Sequence, residues 1–341
     1  MNLETTYMGL ELAHPLMVGA SPLADDLDTP RRLEDAGAAA IVMRSLFQEQ
    51  IEGEQYTSAQ QVEMYADSFS EASSFFPSTS DFAMNPYGYL EQIRRLKAAL
   101  RIPVIASLNG LSTSGWLRYA RLIEQAGADA MELNVYHVST NLWETAAAIE
   151  ENILESARSV REAVKIPLAI KLSPFFTSIP HIAMQLRTAG VDGLVLFNRF
   201  YQPDIDLGLL SVVPQLHLSD SSELQVRLRW LAILSGRINT SLAASGGVHT
   251  GADAVKAVMA GAHAVQIVSA ILKNGPAYLK VLLAEFKQWM EENGYQSVRQ
   301  MRGSLDMTRC PDPAAFERGN YMRVLNSWRD TPKFSDGQVP Q

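Results

Sequence analysis

Cys310 is the only cysteine in the 341-residue sequence. That excludes an internal disulfide and any cysteine-rich metal site, and it suits a reducing compartment. Cationic surplus is missing too: 29 Lys and Arg stand against 37 Asp and Glu, a net charge of −8. Without a basic patch to neutralise a phosphate backbone, nucleic acid is not an expected partner, whereas a small molecule is. No apolar run reaches the about 18 residues that cross a bilayer, and Met1 to Leu12 is acidic and polar. The expectation is a cytoplasmic protein with no membrane segment. Also absent is a Gly-x-Gly-x-x-Gly turn after the first apolar run, which counts against an open dinucleotide-binding sheet.

What is present is a rhythm. Apolar residues make up 47% of the chain and charged ones 19%, enough Val, Ile, Leu and Ala for a large core. Short apolar runs recur at Pro15–Ser21, Ala39–Ser45, Pro103–Asn109, Ala130–Tyr136, Pro167–Ser173, Gly193–Asn198, Ser241–Gly247 and Ala264–Ala270. A segment of helical period follows each one, the pattern of repeated strand–helix units whose strands are buried on both faces. Ahead of several runs stands a small-residue turn: Ala36-Gly37-Ala38, Ala126-Gly127-Ala128, Ala189-Gly190-Val191 and Ala260-Gly261-Ala262. In each, glycine ends a helix in the left-handed conformation. The reading is an α/β fold, one (β/α)8 TIM barrel over residues 1–305, since barrels of about 250 residues or more are ordinary single domains.

Two stretches interrupt the rhythm: Phe47 to Pro86 after the second strand and Tyr201 to Glu223 after the sixth. Both follow strand C-termini, the catalytic face of a barrel, where long loops serve as lids or binding loops unless they are plain surface insertions. Residues 306–341 read as a C-terminal extension. Its middle, Ala314 to Trp328, reads as a helix docked outside the barrel, and its last ten residues as disordered.

The seventh run ends Ala244-Ser245-Gly246-Gly247 and the eighth leads into Val268-Ser269, with Thr250-Gly251-Ala252-Asp253 opening the helix between them. Glycines admit backbone close to an anion, and N–H groups with a helix N-terminus hold it, so a phosphate site is expected here. The plainer reading is a tight turn that needs glycine. Lys171 puts a cation at the end of the apolar fifth strand, where a bound anion, an electron-rich cofactor or an ion pair with Glu132 would satisfy it. Asn109, Asn134 and Asn198 close the third, fourth and sixth strands. As a set these carboxamides suit a planar amide-like ring; any one alone would be a turn residue.

The sequence resembles the dihydroorotate dehydrogenase family of FMN-dependent barrels over roughly Met1 to Leu305. The likeness runs through His14-Pro15-Leu16-Met17-Val18-Gly19-Ala20-Ser21, Met131-Glu132-Leu133-Asn134, Ile166 to Pro174, and Ser245-Gly246-Gly247-Val248. It continues through Gly261 to Ile267, Lys273-Asn274-Gly275-Pro276 and Gly294-Tyr295-Gln296-Ser297. The resemblance implies FMN as cofactor: Ala20 and Ser21 against the ring, Asn109 and Asn134 at its polar edge, Lys171 beside N1, and Gly246, Gly247 and Ser269 at the phosphate.

Several positions depart from the family pattern. Where soluble members read Asn-Leu-Ser-Cys-Pro-Asn, with cysteine as the base, this chain has Asn134-Val135-Tyr136-His137-Val138-Ser139, so His137 takes the cysteine's place. Imidazole is a competent base near neutral pH, though a packing role is equally compatible with the position. Arg44 replaces an active-site lysine, and Arg199 follows Asn198 where a small hydroxyl residue is usual; two guanidiniums suit a strongly acidic substrate. Leu216 to Ser221 replaces a glycine-rich flavin-binding segment. Three readings stay open. One is an FMN-dependent dehydrogenase acting on dihydroorotate or a related planar carboxylate, with Arg44, Asn134, Asn198 and Arg199 on substrate and His137 and Lys171 as catalytic groups; for dihydroorotate this is a step of pyrimidine biosynthesis. Another is an FMN-binding electron-transfer subunit that serves a redox partner and has lost that activity. The last is a flavin-free, phosphate-binding barrel enzyme. A homo-oligomer, a dimer in related soluble enzymes, is expected, and no metal.

Overall fold

In a computed structural model the structure describes residues 1–51, 85–110, 113–199, 202–214 and 216–327. In chain order the strands are β1 (Thr5–Tyr7), β2 (Leu10–Leu12), β3 (Leu16–Val18), β4 (Ile41–Phe47), β5 (Val104–Asn109), β6 (Ala130–Asn134), β7 (Leu168–Leu172), β8 (Gly193–Leu196), β9 (Pro203–Asp206), β10 (Ser211–Pro214), β11 (Ser241–Ser245) and β12 (Ala264–Ile267). The helices are α1 (Asp28–Asp35), α2 (Pro86–Ala99), α3 (Thr113–Gln125), α4 (Ala146–Ala163), α5 (Ile179–Thr188), α6 (Leu224–Leu234), α7 (Gly251–Met259), α8 (Ser269–Asn274), α9 (Tyr278–Glu292), α10 (Val298–Met301) and α11 (Asn320–Ser327).

Eight strands close on themselves in the order β11-β12-β3-β4-β5-β6-β7-β8. All pairings in this ring are parallel, and helices alternate with the strands, so the fold is a (β/α)8 barrel. Seven of the eight strands lie within the apolar runs of the sequence, and β4 extends two residues past its run, to Phe47. Burial on both faces explains why those runs are continuous rather than alternating. Gly37, Gly127, Gly190 and Gly261 all have positive φ, as helix-ending glycines require.

Side chains fill the barrel from two ends. Below, the hairpin β1–β2 turns at Met8 and Gly9, both of positive φ, and pushes Tyr7, Met8 and Leu12 against Met17, Val42, Ile105, Val195 and the alanines Ala130, Ala169, Ala243 and Ala264. The small alanines leave room for this plug. A larger cluster lies between strands and helices, with Leu33, Ile93, Leu96, Ile123, Leu186, Leu231 and Leu282 each wholly buried. Among the described residues no helix is long and apolar enough to cross a membrane.

The stretch after β8 carries the antiparallel hairpin β9–β10, with Ile205, Leu207, Leu209, Leu210 and Val212 exposed. Of the loop expected after β4, residues 52–84 lie outside the described residues, as do the final ten of the chain. The helix expected across Ala314–Trp328 is shorter than that. Pro313 to Phe316 form a single 3-10 turn, Glu317 is extended, and α11 follows with no residue buried. Among its described residues only Phe316 packs on the core, and Arg323 ties the segment together through Asp312 at 2.7 Å.

Candidate functional site

Parallel pairing sets Asn109 of β5, Asn134 of β6 and Lys171 of β7 side by side at one level of the catalytic rim. All three are buried, at 6 to 8% exposure. Asn134 Oδ1 and, two strands further on, Asn198 Nδ2 have no hydrogen-bond partner. A buried amide atom without a partner costs on the order of 1–3 kcal/mol. A planar ring carrying amide groups would supply the missing partners, so the rim fits a flavin's polar edge.

Lys171 Nζ donates to Glu132 Oε1 at 3.2 Å and to Gln266 Oε1 at 3.1 Å, while Gln266 Nε2 donates to Glu132 Oε2. This triad spans β6, β7 and β12 inside the barrel. The ion pair with Glu132 is therefore present, and it leaves the ammonium one further donor for a ligand. Next to β12, Gly19 N donates to Ile267 O at 3.2 Å and Ser21 Oγ donates to Gly19 O, so Ala20 and Ser21 leave β3 beside Lys171's partner strand. A side chain on Gly19 would meet Val268 Cγ2 at 2.8 Å and Gln266 Cβ at 3.1 Å.

The corner where the sequence suggested a phosphate site is built mainly on close packing. Gly246 and Gly247 both have positive φ, and a Cβ on Gly247 would lie 2.3 Å from Leu224 N. These glycines let β11 press against the start of α6, where Arg227 lies 7% exposed, donating from Nε to Ser245 O and from Nη1 to Glu223 O. The segment standing in for the family's glycine-rich loop is anchored here too. Ser219 N donates to Ser269 Oγ, its Oγ pairs with His249 Nε2, and Lys273 Nζ donates to Ser219 O at 2.8 Å. Burial, then Lys273, hold His249 below the usual histidine range. Two hydroxyls, a lysine and an arginine around a glycine turn form a cradle of the right charge for a phosphate.

The N-terminus of α7 is not part of that cradle. Asp253 Oδ2 accepts from His249 N and Thr250 N within a capping box, and Glu285 Oε2 accepts from Gly251 N at 2.6 Å. Protein carboxylates take the N–H groups that the sequence offered to an anion. The signal was there in the Thr-x-x-Asp spacing, which marks a self-capped helix.

His137 follows β6, and its Nε2 lies 3.0 Å from Glu144 Oε2. Ser139, then His137, lower the pKa of that carboxyl. Together with Val135, Ile153, Ser173, Phe175 and Phe176, His137 lines a mainly apolar cleft of about 490 Å³ reaching to Pro203 of the β9–β10 hairpin. Glu144 was not singled out from sequence, because its link to His137 depends on the turn at Asn141 to Trp143. Arg44 is held by Asp25 in a fork, at 2.6 and 3.1 Å; burial pushes the Asp25 carboxyl up while Arg44 pulls it down. Arg199 pairs with Glu223 at 3.3 Å. Both candidate substrate arginines thus already have carboxylate partners.

The sequence model for dihydroorotate dehydrogenase matches residues 2–290. The catalytic subunit of dihydroorotate dehydrogenase B (NAD(+)) from Thermoplasma volcanium is 28% identical over 306 residues, 89% of this chain and 98% of that protein. Its counterpart from Methanothermobacter thermautotrophicus is 26% identical over 308 residues, 88% and 97% of the two chains. The PreA subunit of the NAD-dependent dihydropyrimidine dehydrogenase of Escherichia coli K12 is 24% identical over 205 residues, 58% of this chain and 48% of that one. With this match over most of a chain that closes into a (β/α)8 barrel, the protein belongs to the dihydroorotate dehydrogenase family.

Proposed function

We propose that the protein is an FMN-dependent oxidoreductase that dehydrogenates dihydroorotate or a related planar carboxylate. The observation that carries this reading is the rim itself: Asn109, Asn134 and Lys171 level on adjacent strands, with amide atoms of Asn134 and Asn198 buried and unpaired. Asn109, Asn134, Lys171, Ala20 and Ser21 would hold the ring; Gly246, Gly247 and Ser269, joined by Ser219 and Lys273, would hold the phosphate. Bound there, FMN supplies a two-electron acceptor for hydride.

The chain's own part is to orient the substrate and take a proton. Glu144 accepts the hydrogen of His137 Nε2, which leaves the Nδ1 lone pair as the base. When Nδ1 takes a substrate proton, the carboxylate stabilises the resulting imidazolium. Arg44 and Arg199, already balanced by Asp25 and Glu223, would meet a substrate carboxylate as shared partners rather than as bare charges. Phe175 and Phe176 wall the cleft beside His137.

An electron-transfer role with a partner protein is the second reading. It rests on apolar surface gathered near the rim: Leu142 and Trp143 are 95% and 89% exposed, and the β9–β10 hairpin adds Leu207 and Leu210 at 82% and 85%. An absorbance spectrum of the purified protein from 300 to 550 nm, followed by anaerobic addition of dihydroorotate to wild type and to His137→Ala, decides between the two. Flavin absorbance that dihydroorotate bleaches only in wild type supports the dehydrogenase. A flavin that stays oxidised in both moves the assignment to another donor or to the electron-transfer role, and a protein that neither carries nor takes up FMN rejects both.

A further inference from the structure

The opposite, N-terminal face of the barrel holds a second recess of about 730 Å³, a volume typical of small-ligand sites. Arg187, Arg299, Arg302 and Arg309 line it, together with His263 and Thr240. Its one lining carboxylate among the described residues is Asp192, which is already committed to Arg161 at 2.8 Å and to Leu168 N at 2.9 Å. Among the described residues none of the four lining guanidiniums has an ion-pair partner, whereas Arg44, Arg158, Arg161, Arg199 and Arg323 elsewhere do. In a chain of net charge −8 such a concentration of unopposed cations is a local feature that overall composition does not account for.

We propose that this recess binds a small polyanion carrying two or more phosphate or carboxylate groups. Three observations converge on that chemistry. First, like charges crowd: burial, then Arg299 and Arg309, lower the pKa of Arg302. An anion among them turns mutual repulsion into attraction, and guanidinium forks match phosphate and carboxylate oxygens in pairs. Second, His263 supplies a neutral donor. Its Nδ1 accepts from Leu242 N at 3.1 Å, and burial with Arg302 holds its pKa down to about 4, so the ring hydrogen sits on Nε2. Third, Thr240 is 8% exposed and its Oγ1 has no partner within the protein. A buried hydroxyl in that state asks for a ligand atom or a water.

The site is separate from the catalytic rim. Thr240 precedes β11, while the cradle glycines follow its other end, about 20 Å away along the strand. Because α10 and the turns after it supply Arg299, Arg302 and Arg309, and α5 supplies Arg187, a ligand here would clamp the chain's last barrel helices to the loop before β11.

The test is calorimetric titration of inorganic pyrophosphate at fixed ionic strength into wild type, into Arg299→Ala/Arg309→Ala, and into Lys273→Ala at the opposite face. Arg299 and Arg309 are exposed, and unchanged thermal unfolding checks that their removal leaves the fold intact. The expected result is a site in wild type that the double variant binds at least tenfold more weakly and that Lys273→Ala leaves unchanged, any further site being one that only Lys273→Ala weakens; at the recess orthophosphate should bind more weakly than pyrophosphate. Absence of saturable binding, equal affinity in the double variant, or a loss confined to Lys273→Ala would each overturn the proposal. The readout needs no flavin and no turnover, so it fails or succeeds independently of the rim's assignment.

Discussion

Which nitrogen of His137 keeps its hydrogen decides what the residue can do. If His137 is the proposed base, Glu144 at 3.0 Å from its Nε2 would hold the hydrogen there and leave Nδ1 for the substrate proton, acting on the base's orientation without touching substrate. Glu144→Gln keeps the spacing and removes the charge. Turnover should fall about tenfold to a hundredfold. Turnover that holds at the wild-type rate would mean that His137 takes no proton through this pair. Lys171 makes a different claim. Lys171→Met removes the one cation that pairs, among the described residues, with a buried carboxylate, Glu132, which is 1% exposed. Stripping one partner from a buried pair costs about 3–5 kcal/mol. Urea unfolding of Lys171→Met should show a loss of that size, and adding Glu132→Gln should recover a large part of it.

At the level of elements, close approach between β11 and α6 shapes the proposed phosphate corner. Gly247→Ala places a Cβ 2.3 Å from the backbone of Leu224 and asks alanine to hold a φ of +80°. Helix α6 must then shift, at a cost of about 2–4 kcal/mol, and it would carry Arg227 away from Ser245 O. The expected outcome is a melting temperature lowered by several degrees and weaker FMN uptake, measured by calorimetry and flavin titration. The start of α7 answers to different residues. Asp253→Ala opens the capping box and frees His249 N and Thr250 N, a loss of about 1–2 kcal/mol, yet FMN uptake should hold because those N–H groups face protein carboxylates. If FMN uptake fell with stability preserved, the cradle would have to include α7 after all.

Across the whole molecule, what could be read in advance follows from the range of the forces. Eight strands buried on both faces must be apolar from end to end, so Leu168–Leu172 or Ala264–Ile267 announce themselves as local runs, and parallel register then brings Asn109, Asn134 and Lys171 level without further instruction. Pairs made by loops carry no such period. Asp25 with Arg44, Glu223 with Arg199, and Ser219 with Ser269 and Lys273 join residues 19 to 54 positions apart through turns whose paths the sequence does not spell out. The same burial that makes the barrel legible also makes its stability depend on pH. His14 lies 6% exposed with Nδ1 accepting from Leu16 N, and desolvation lowers its pKa to about 4; His263, on the other strand-entry turn, is also lowered to about 4. For both, the folded value lies below the unfolded value of about 6.5, so unfolding takes up protons. Their contribution is therefore complete above pH 6.5 and drains away as pH falls toward 4. Between pH 7 and pH 5 each histidine should take away about 2 kcal/mol. Guanidinium chloride unfolding at the two pH values should show the midpoint falling on acidification, and His14→Gln should remove about half of that fall. A midpoint that stays level over this range would mean that both rings reach water and titrate as they do in the unfolded chain.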